Sequence, residues 1–203
     1  MMIYKQGSRG EMVKEIQRAL HLYPDGIYGV LTKEAVVAFQ KAHNLTADGI
    51  VGPLTLALLI PQRFNKSTRS INEIIVHCTA TPEYRNFTVT DIRRWHKAQG
   101  WSDIGYHYVV YLDGSIHEGR DVNLSGAHTV GHNAHSIGVC YVGGVDTDGS
   151  TPKDTRTKEQ KEALVSLLKD LHRLYPTARI YGHRNFANKA CPSFDAKKEY
   201  AMI

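Results

Sequence analysis

The chain has 203 residues and a formal net charge of +5, and its 42% hydrophobic and 22% charged residues are typical of a soluble globular protein. This length suffices for one domain or for a small and a medium one. No stretch reaches the roughly 18 consecutive apolar residues of a membrane helix, and the basic residues are dispersed rather than clustered. Membrane insertion and nucleic-acid binding are therefore not expected as main functions.

Cysteine usage and the N-terminus indicate where the protein is made. The three cysteines, Cys78, Cys140 and Cys191, form an odd and sparse set that fits a reducing compartment better than a disulfide framework. The first residues, Met1 to Gly7, contain no apolar core of a signal peptide. We therefore expect the protein to remain in the cytoplasm unless another factor releases it.

Residues 1–60 contain an internal repeat. Asp25-Gly-Ile-Tyr-Gly-Val-Leu-Thr32 recurs 23 residues later as Asp48-Gly-Ile-Val-Gly-Pro-Leu-Thr55. In each copy Asp-Gly predicts a turn, and the Thr stands where it can cap a helix. Apolar residues keep a one-face helical spacing around the two copies: Val13, Ile16, Leu20, Ala35, Val36, Phe39, Leu56 and Leu59. The pattern predicts a compact three-helix domain with two glycine-rich turns.

The segment 61–70 is polar, opens with Pro61 and shows no periodicity, which predicts a linker. Residues 71–203 then form the second predicted domain. Its pattern alternates strands and helices, which predicts an α/β fold with one mixed sheet and helices on its faces. The expected elements are strands over 71–78, 105–112, 115–118, 136–142 and 179–181 and helices over 88–100 and 157–176, with Asp113-Gly114 as a two-residue hairpin turn.

Three residues of the second domain form a candidate metal site. His77 ends the apolar strand Ile74-Ile-Val-His77, and His183 and Cys191 stand eight positions apart near the C-terminus. Two imidazoles and one thiolate can hold a catalytic zinc ion that keeps a fourth position open for water. From the residues alone, His77 could also be a buried core histidine, and Lys189 could be an ordinary exposed lysine.

A second histidine cluster, His128, His132 and His135, competes with this assignment. Gly131 and Asn133 argue against a helix that would place two of these imidazoles on one face. We expect a loop of histidines that borders an active site rather than a second metal centre. In the strand after Gly105, alternation predicts that Tyr106 and Tyr108 share one face and that His107 lies on the other.

The motifs of both domains resemble known families. Residues 5–60, with Gly7-x-x-Gly10, Val13, Gln17, Leu20 and the two repeat copies, resemble the peptidoglycan-binding domain of many cell-wall hydrolases. Residues 71–196 resemble the type 2 N-acetylmuramoyl-L-alanine amidases, closely the bacteriophage lysozyme branch, which is related to the peptidoglycan recognition proteins. The motifs that carry this second resemblance are His77-Cys-Thr-Ala-Thr81, Arg94-Trp-His96, Gly105-Tyr-His107, Ser136-Ile-Gly-Val-Cys140 and Lys189-Ala-Cys-Pro-Ser-Phe-Asp195.

The resemblance implies one zinc ion held by His77, His183 and Cys191. It also implies that Tyr106 is an acid/base that orients the attacking water or relays its proton, and that Lys189 helps to stabilise the tetrahedral oxyanion. His128 matches a histidine at the edge of the family's substrate groove. His135 stands before Ser136, where this branch often has Asn, so the detail of the substrate contacts departs from the family.

The implied function is that of an endolysin, which hydrolyses the amide bond between N-acetylmuramic acid and L-alanine in bacterial peptidoglycan. The expected protein is a monomer that binds neither nucleic acid nor membrane, stays in the host cytoplasm until lysis and then acts on the cell wall. The resemblance assigns no binding residues in the first domain.

Three other functions fit parts of the sequence less well. A non-catalytic peptidoglycan recognition protein would be marked by loss of the metal cysteine, yet Cys191 is present. Regulation of a protein partner, such as a phage polymerase, has no signal in these residues. A zinc peptidase that cuts within the stem peptide would need different ligand motifs.

Overall fold

The computed structural model describes residues 3–61 and 63–203, so that Met1, Met2 and Gln62 of the predicted elements lie outside the described residues. The chain divides into two compact units, of which the first ends at Arg63 and the second begins at Phe64. Residues 64–70 of the predicted linker thus lie in the second unit. There the Ser67 backbone N–H donates to the Tyr175 hydroxyl over 2.7 Å, and the Ser67 hydroxyl donates to the Val122 carbonyl over 2.7 Å.

The first unit contains three helices in its described part: α1 (Glu11–Ala19), α2 (Val30–Ala42) and α3 (Pro53–Leu59). Helices this short are marginal alone and depend on packing of their apolar faces. The buried core that they share consists of Val13, Ile16, Tyr28, Val36, Val51 and Leu59. The predicted three-helix arrangement is confirmed.

A buried glutamine organises the first copy of the repeat. The side-chain nitrogen of Gln17 lies 2.7 Å from Asp25 Oδ1, 3.0 Å from the Ile27 carbonyl oxygen and 3.1 Å from Thr32 Oγ1. Its side-chain oxygen accepts from the Gly26 backbone N–H over 2.9 Å. Gly26 has a φ of +76°, a left-handed conformation that favours glycine.

The second copy repeats this network at Gln40. Its side-chain nitrogen lies 3.0 Å from Asp48 Oδ1, 2.9 Å from the Ile50 carbonyl oxygen and 3.2 Å from Thr55 Oγ1. Its side-chain oxygen accepts from the Gly49 backbone N–H over 2.9 Å. One glutamine therefore ties each Asp-Gly turn to the helix that follows it.

The expectation that the repeat threonines cap helices is wrong. Gly29 and Gly52 occupy the positions before α2 and α3, and neither helix has a side-chain cap. Thr32 and Thr55 are instead buried inside the first helical turn. There each hydroxyl serves as a partner of the glutamine amide.

Gln40→Met should destabilise the first unit, because it removes the amide while nearly conserving side-chain length. The Gly49 N–H would lose its acceptor inside the protein, and such an unsatisfied buried group costs about 1–3 kcal/mol. We expect a lower free energy of unfolding in urea, measured by circular dichroism. The exposed neighbour Lys41 provides the matched control Lys41→Met, and equal stabilities of the two variants would contradict the role of the network.

The second unit is built on strands and helices that alternate along the chain. The elements are β1 (Glu73–Cys78), β2 (Thr81–Pro82), α4 (Val89–Ala98), β3 (Tyr108–Val110), β4 (Ile116–Glu118), β5 (Ser136–Tyr141), β6 (Gly144–Val145), α5 (Lys158–Leu174), β7 (Arg179–Gly182) and α6 (Ala196–Glu199). Five strands form one sheet with the order β4-β3-β5-β1-β7. All neighbouring strands in it are parallel except β4, which pairs antiparallel with β3. A two-stranded sheet pairs β2 with β6, and the predicted mixed sheet with flanking helices is confirmed.

Helices cover the sheet with two separate apolar clusters. The α5 residues Leu164, Leu167, Leu168 and Leu171 are fully buried in a cluster that includes strand residues such as Ile74. The α4 residue Ile92 belongs to another cluster, with Val89, Ile104, Val109 and Val142. Both helices begin with capping boxes, at Thr88 with Asp91 and at Thr157 with Gln160. The three central strands, β3, β5 and β1, are thereby buried almost throughout, as a largely parallel sheet requires.

The hairpin and the strand before it are shorter than predicted. Five residues separate β3 from β4, and the Gly114 N–H donates to the Tyr111 carbonyl over 2.9 Å, so the turn is not a two-residue one. Tyr106 and Tyr108 do not share a face, since Tyr106 packs with the Ile92 cluster and Tyr108 with the Ile74 cluster. The alternation fails because regular strand structure begins only at Tyr108.

Candidate metal centre

The parallel pairing of β1 with β7 brings the two predicted ligand histidines together. Val76 is the register partner of Gly182, so the next residues along each strand, His77 and His183, emerge side by side at the carboxyl edge of the sheet. Cys191 reaches the same edge from the loop before α6. The nitrogen and sulfur donor atoms of these three residues all lie within 4.8 Å of one another.

The spacing of the donors fits a tetrahedral zinc ion. The Cys191 Sγ lies 3.7 Å from His77 Nδ1, and a tetrahedral centre with ordinary Zn–N and Zn–S lengths separates such atoms by about 3.6 Å. The imidazole rings of His77 and His183 have centroids 4.7 Å apart. Two imidazoles and one thiolate leave a fourth position of the tetrahedron for water or substrate.

The protonation states also suit a metal site. Burial lowers the pKa of His77 well below its usual range, and burial together with the Lys189 charge lowers the pKa of His183. Both imidazoles are therefore neutral near pH 7 and can offer a lone pair. The contact with the Cys78 thiol and burial raise the pKa of the Cys191 thiol. A thiolate at Cys191 therefore needs a cation beside it, which a zinc ion would supply.

The Cys191 sulfur is positioned by backbone groups. The Cys78 backbone N–H donates to Cys191 Sγ over 3.3 Å, and the Arg184 N–H donates to the Cys191 carbonyl over 2.7 Å. An N–H donor aimed at the sulfur favours the thiolate form. All three cysteines are free thiols, and Cys140 is fully buried in β5.

A buried arginine that the sequence did not single out holds the C-terminal segment. The Arg156 guanidinium forms two hydrogen bonds to the Asp154 carboxylate, at 2.8 and 2.9 Å, and two to the Glu199 carboxylate, at 2.8 and 2.9 Å. It stacks over the Phe194 ring, 3.3 Å from the centroid. Paired charges and an aromatic face make burial of this guanidinium tolerable. The segment that follows Cys191 is thereby fixed to the domain.

Tyr106 lies beside His77, and Lys189 precedes Cys191 by two residues. The Tyr106 ring centroid is 5.1 Å from that of His77 and 5.4 Å from that of His96. Burial raises the pKa of Tyr106 well above its usual range, so that the phenol stays protonated and can donate a hydrogen bond. Lys189 is exposed, and its positive charge contributes to the lowered pKa values of His77 and His183.

The three histidines of the competing cluster do not converge. His128 is buried, and its Nδ1 lies 3.1 Å from His77 Nε2. His132 instead pairs with Glu73 over 2.8 Å and packs against the tilted Phe186 ring, with ring centroids 3.9 Å apart. His135 is exposed in the 3-10 turn 133–135. Within residues 3–61 and 63–203, the group that could hold a metal is the one formed by His77, His183 and Cys191.

Family comparisons match both units of the chain. The family model described as N-acetylmuramoyl-L-alanine amidase matches residues 67–194, which is more than half of the chain. The model of a peptidoglycan binding domain matches residues 9–59. The two matches follow the order of the two compact units along the chain. All residues of both matches belong to the described part of the chain.

Individual relatives agree with the family match. The endolysin of Escherichia phage T7 is 45% identical over 133 residues, which cover 66% of this chain and 87% of that protein. The amidase LysC from Clostridium intestinale is 28% identical with a TM-score of 0.56, over 68% of this chain and 90% of that one. Drosophila PGRP-LB is 25% identical with a TM-score of 0.56, over 70% of this chain and 85% of that one. The chain therefore belongs to the N-acetylmuramoyl-L-alanine amidase family and is a peptidoglycan amidase that carries an N-terminal peptidoglycan binding domain.

Proposed function

We propose that this amidase is an endolysin-type enzyme that depends on one Zn²⁺ ion, with His77, His183 and Cys191 as its ligands. The observation that carries the proposal is the convergence of these three donors at the carboxyl edge of the sheet. Both imidazoles are neutral, and the thiol becomes a good ligand only beside a cation. The bond cleaved is the amide between N-acetylmuramic acid and L-alanine of the stem peptide.

A bound zinc ion would supply Lewis-acid polarisation of the scissile carbonyl and a water molecule that is acidic near neutral pH. The side chains around the zinc site would orient the water, transfer protons and stabilise developing charge. The protonated Tyr106 phenol orients the attacking water by a hydrogen bond or relays a proton toward the leaving amine. The Lys189 ammonium places positive charge where the tetrahedral oxyanion develops. Burial of His77 and Tyr106 lowers the local dielectric and strengthens these interactions.

The remaining parts of the proposal concern organisation and place of action. Residues 1–60 act as a wall-binding domain and residues 71–203 as the catalytic domain of a monomeric enzyme. Each helix in the described part of the chain is too short or too polar to span a bilayer. The enzyme accumulates in the host cytoplasm until lysis and then acts on the cell wall, as expected of a relative of phage endolysins.

Digestion of purified peptidoglycan tests the bond that is cleaved. We expect new free amino groups on L-alanine and no new reducing sugar ends, because the site is built for amide hydrolysis. The termini are identified by amino-group labelling and by a reducing-sugar assay on the same digest. New reducing ends, or new amino groups within the stem peptide, would contradict the proposed bond specificity.

Cys191→Ala tests the metal ligand set. Loss of one of three protein ligands should abolish both stoichiometric zinc retention and hydrolysis. Zinc is measured by elemental analysis of the purified protein after dialysis. Cys140→Ala is the matched control, since it removes a buried thiol outside the ligand set and should retain zinc. Unchanged zinc content in Cys191→Ala would refute the ligand assignment.

Tyr106→Phe tests the acid/base role. Loss of a general acid/base group should lower kcat by about 10²–10⁴-fold while the zinc content stays at the wild-type level. Tyr108→Phe is a close control, because the Tyr108 hydroxyl is buried and has no hydrogen-bond partner among the described residues, and its ring packs in the other cluster. Equal kcat values for the two variants would remove Tyr106 from the mechanism.

A further inference from the structure

We propose that His128 is a positioning residue, which holds His77 through a hydrogen bond and leaves the His77 Nδ1 lone pair facing the metal. Ser136 in turn sets the tautomer of His128. The inference rests on the proposed function, because it takes His77 as a zinc ligand. It differs from the expectation that His128 lines the substrate groove, and it names the nitrogen of His77 that binds.

The two ring nitrogens of His77 have different neighbours. Nδ1 lies 3.7 Å from Cys191 Sγ, on the side of the other ligand donors. Nε2 lies 3.1 Å from His128 Nδ1 and 3.4 Å from Thr129 Oγ1. A neutral imidazole carries one N–H and one lone pair. If Nδ1 binds the metal, Nε2 carries the hydrogen and donates it to His128 Nδ1.

The direction of this hydrogen bond is set by Ser136. The Ser136 hydroxyl donates to the His132 carbonyl oxygen over 2.8 Å. Its hydroxyl oxygen, 3.3 Å from His128 Nε2, therefore accepts the hydrogen of that nitrogen. His128 Nδ1 is then left with a lone pair, as the bond from His77 requires. The bonds run in one direction, from His77 through His128 to Ser136 and on to the His132 carbonyl.

Two glycines make room for the His128 ring. A Cβ atom at Gly126 would lie 2.4 Å from His128 Cδ2, and one at Gly138 would lie 2.5 Å from the same atom. Any side chain at either position would displace the ring. With 7% of its surface exposed, His128 is enclosed by the protein and contacts His77 rather than the outside of the domain.

The loop that carries His128 is itself held at several points. The Asn133 side-chain oxygen accepts from the backbone N–H groups of His128 and Thr129, over 2.8 and 2.9 Å. The Arg69 guanidinium donates to the carbonyl oxygens of Asn133 and Ser136, over 3.1 and 3.3 Å. These bonds limit how far the ring can move. Such a fixed second partner is the usual means of orienting a metal-bound histidine, and its loss typically lowers metal affinity by about 10–100-fold.

The test measures metal binding in the full chain without substrate. Zinc affinity is determined by competition with a chromophoric chelator, and the geometry of the site is followed by the visible absorption spectrum of the Co²⁺-loaded protein. His128→Ala should lower zinc affinity by about 10–100-fold and change the Co²⁺ spectrum. His128→Asn, whose side-chain oxygen can occupy the place of Nδ1 as an acceptor, should recover most of the affinity and the wild-type spectrum.

Wild-type zinc affinity and an unchanged Co²⁺ spectrum in His128→Ala, with only a raised KM for peptidoglycan, would assign His128 to the groove and overturn the proposal. Should His128→Ala fail to fold, Ser136→Ala carries the test, because it keeps the His128 ring and removes the hydroxyl that sets its tautomer. We expect weaker zinc binding there, and an unchanged affinity would overturn the proposal. Full zinc affinity in His77→Ala would instead refute the ligand set of the proposed function, so the two failures are distinguishable.

Discussion

The parallel pairing of β1 with both of its neighbours is the constraint on which the site depends. The pairing with β7 sets Val76 against Gly182, and His77 and His183 leave the sheet next to each other. Since the side-chain period of a strand is two residues, a shift of one position would turn His77 to the other face of the sheet. The register is held because all residues of β1 after Glu73 are buried, and Ile74, Ile75 and Val76 are paired on both sides.

Burial of this edge requires that each polar group there finds a partner. His77 is 1% exposed and Ser136 is fully buried. A polar group left unpaired at such a position would destabilise the folded protein by several kilocalories per mole. The polar contacts form a connected series that runs from His77 through His128 to the Ser136 hydroxyl and on to the His132 carbonyl oxygen. A fully satisfied series of this kind restricts the ring orientations available to the metal ligand. Function and stability therefore rest on the same hydrogen bonds.

In the first unit, a buried glutamine in each copy of the repeat provides the hydrogen-bond partners of a turn. Gln17 and Gln40 each join an Asp-Gly turn to the following helix, with nearly equal distances in the two copies. A unit this small has a limited apolar core, so polar anchors of its turns contribute a larger share of its order. The repeat seen in the sequence is thus a repeat of hydrogen bonds, centred on a glutamine rather than on the threonine cap that the pattern suggested.

Much of the architecture follows from the sequence because it depends on local patterns. The capping boxes at Thr88 and Thr157, the apolar strand that ends at His77 and the duplicated glycine turns are encoded within a few residues each. The family motifs also identified His183 and Cys191 as partners of His77, and the structure brings their donor atoms together.

Which distant groups meet at the site depends on contacts between residues far apart in the chain. His128 lies 51 positions from His77 along the chain, and Cys191 lies 114 positions from it. Whether His128 faces the peptidoglycan substrate or His77 depends on strand order and on the space left by Gly126 and Gly138. Neither the strand order nor this space can be predicted from local sequence patterns. Tyr106 lies beside His77 because regular strand structure begins only after it. Regular pairing with the neighbouring strand β5 starts at Tyr108. The elements and the candidate ligands follow from local sequence patterns and motifs, whereas the partners of each ligand follow from long-range packing, because hydrogen-bond direction and burial exist only once the sheet has formed.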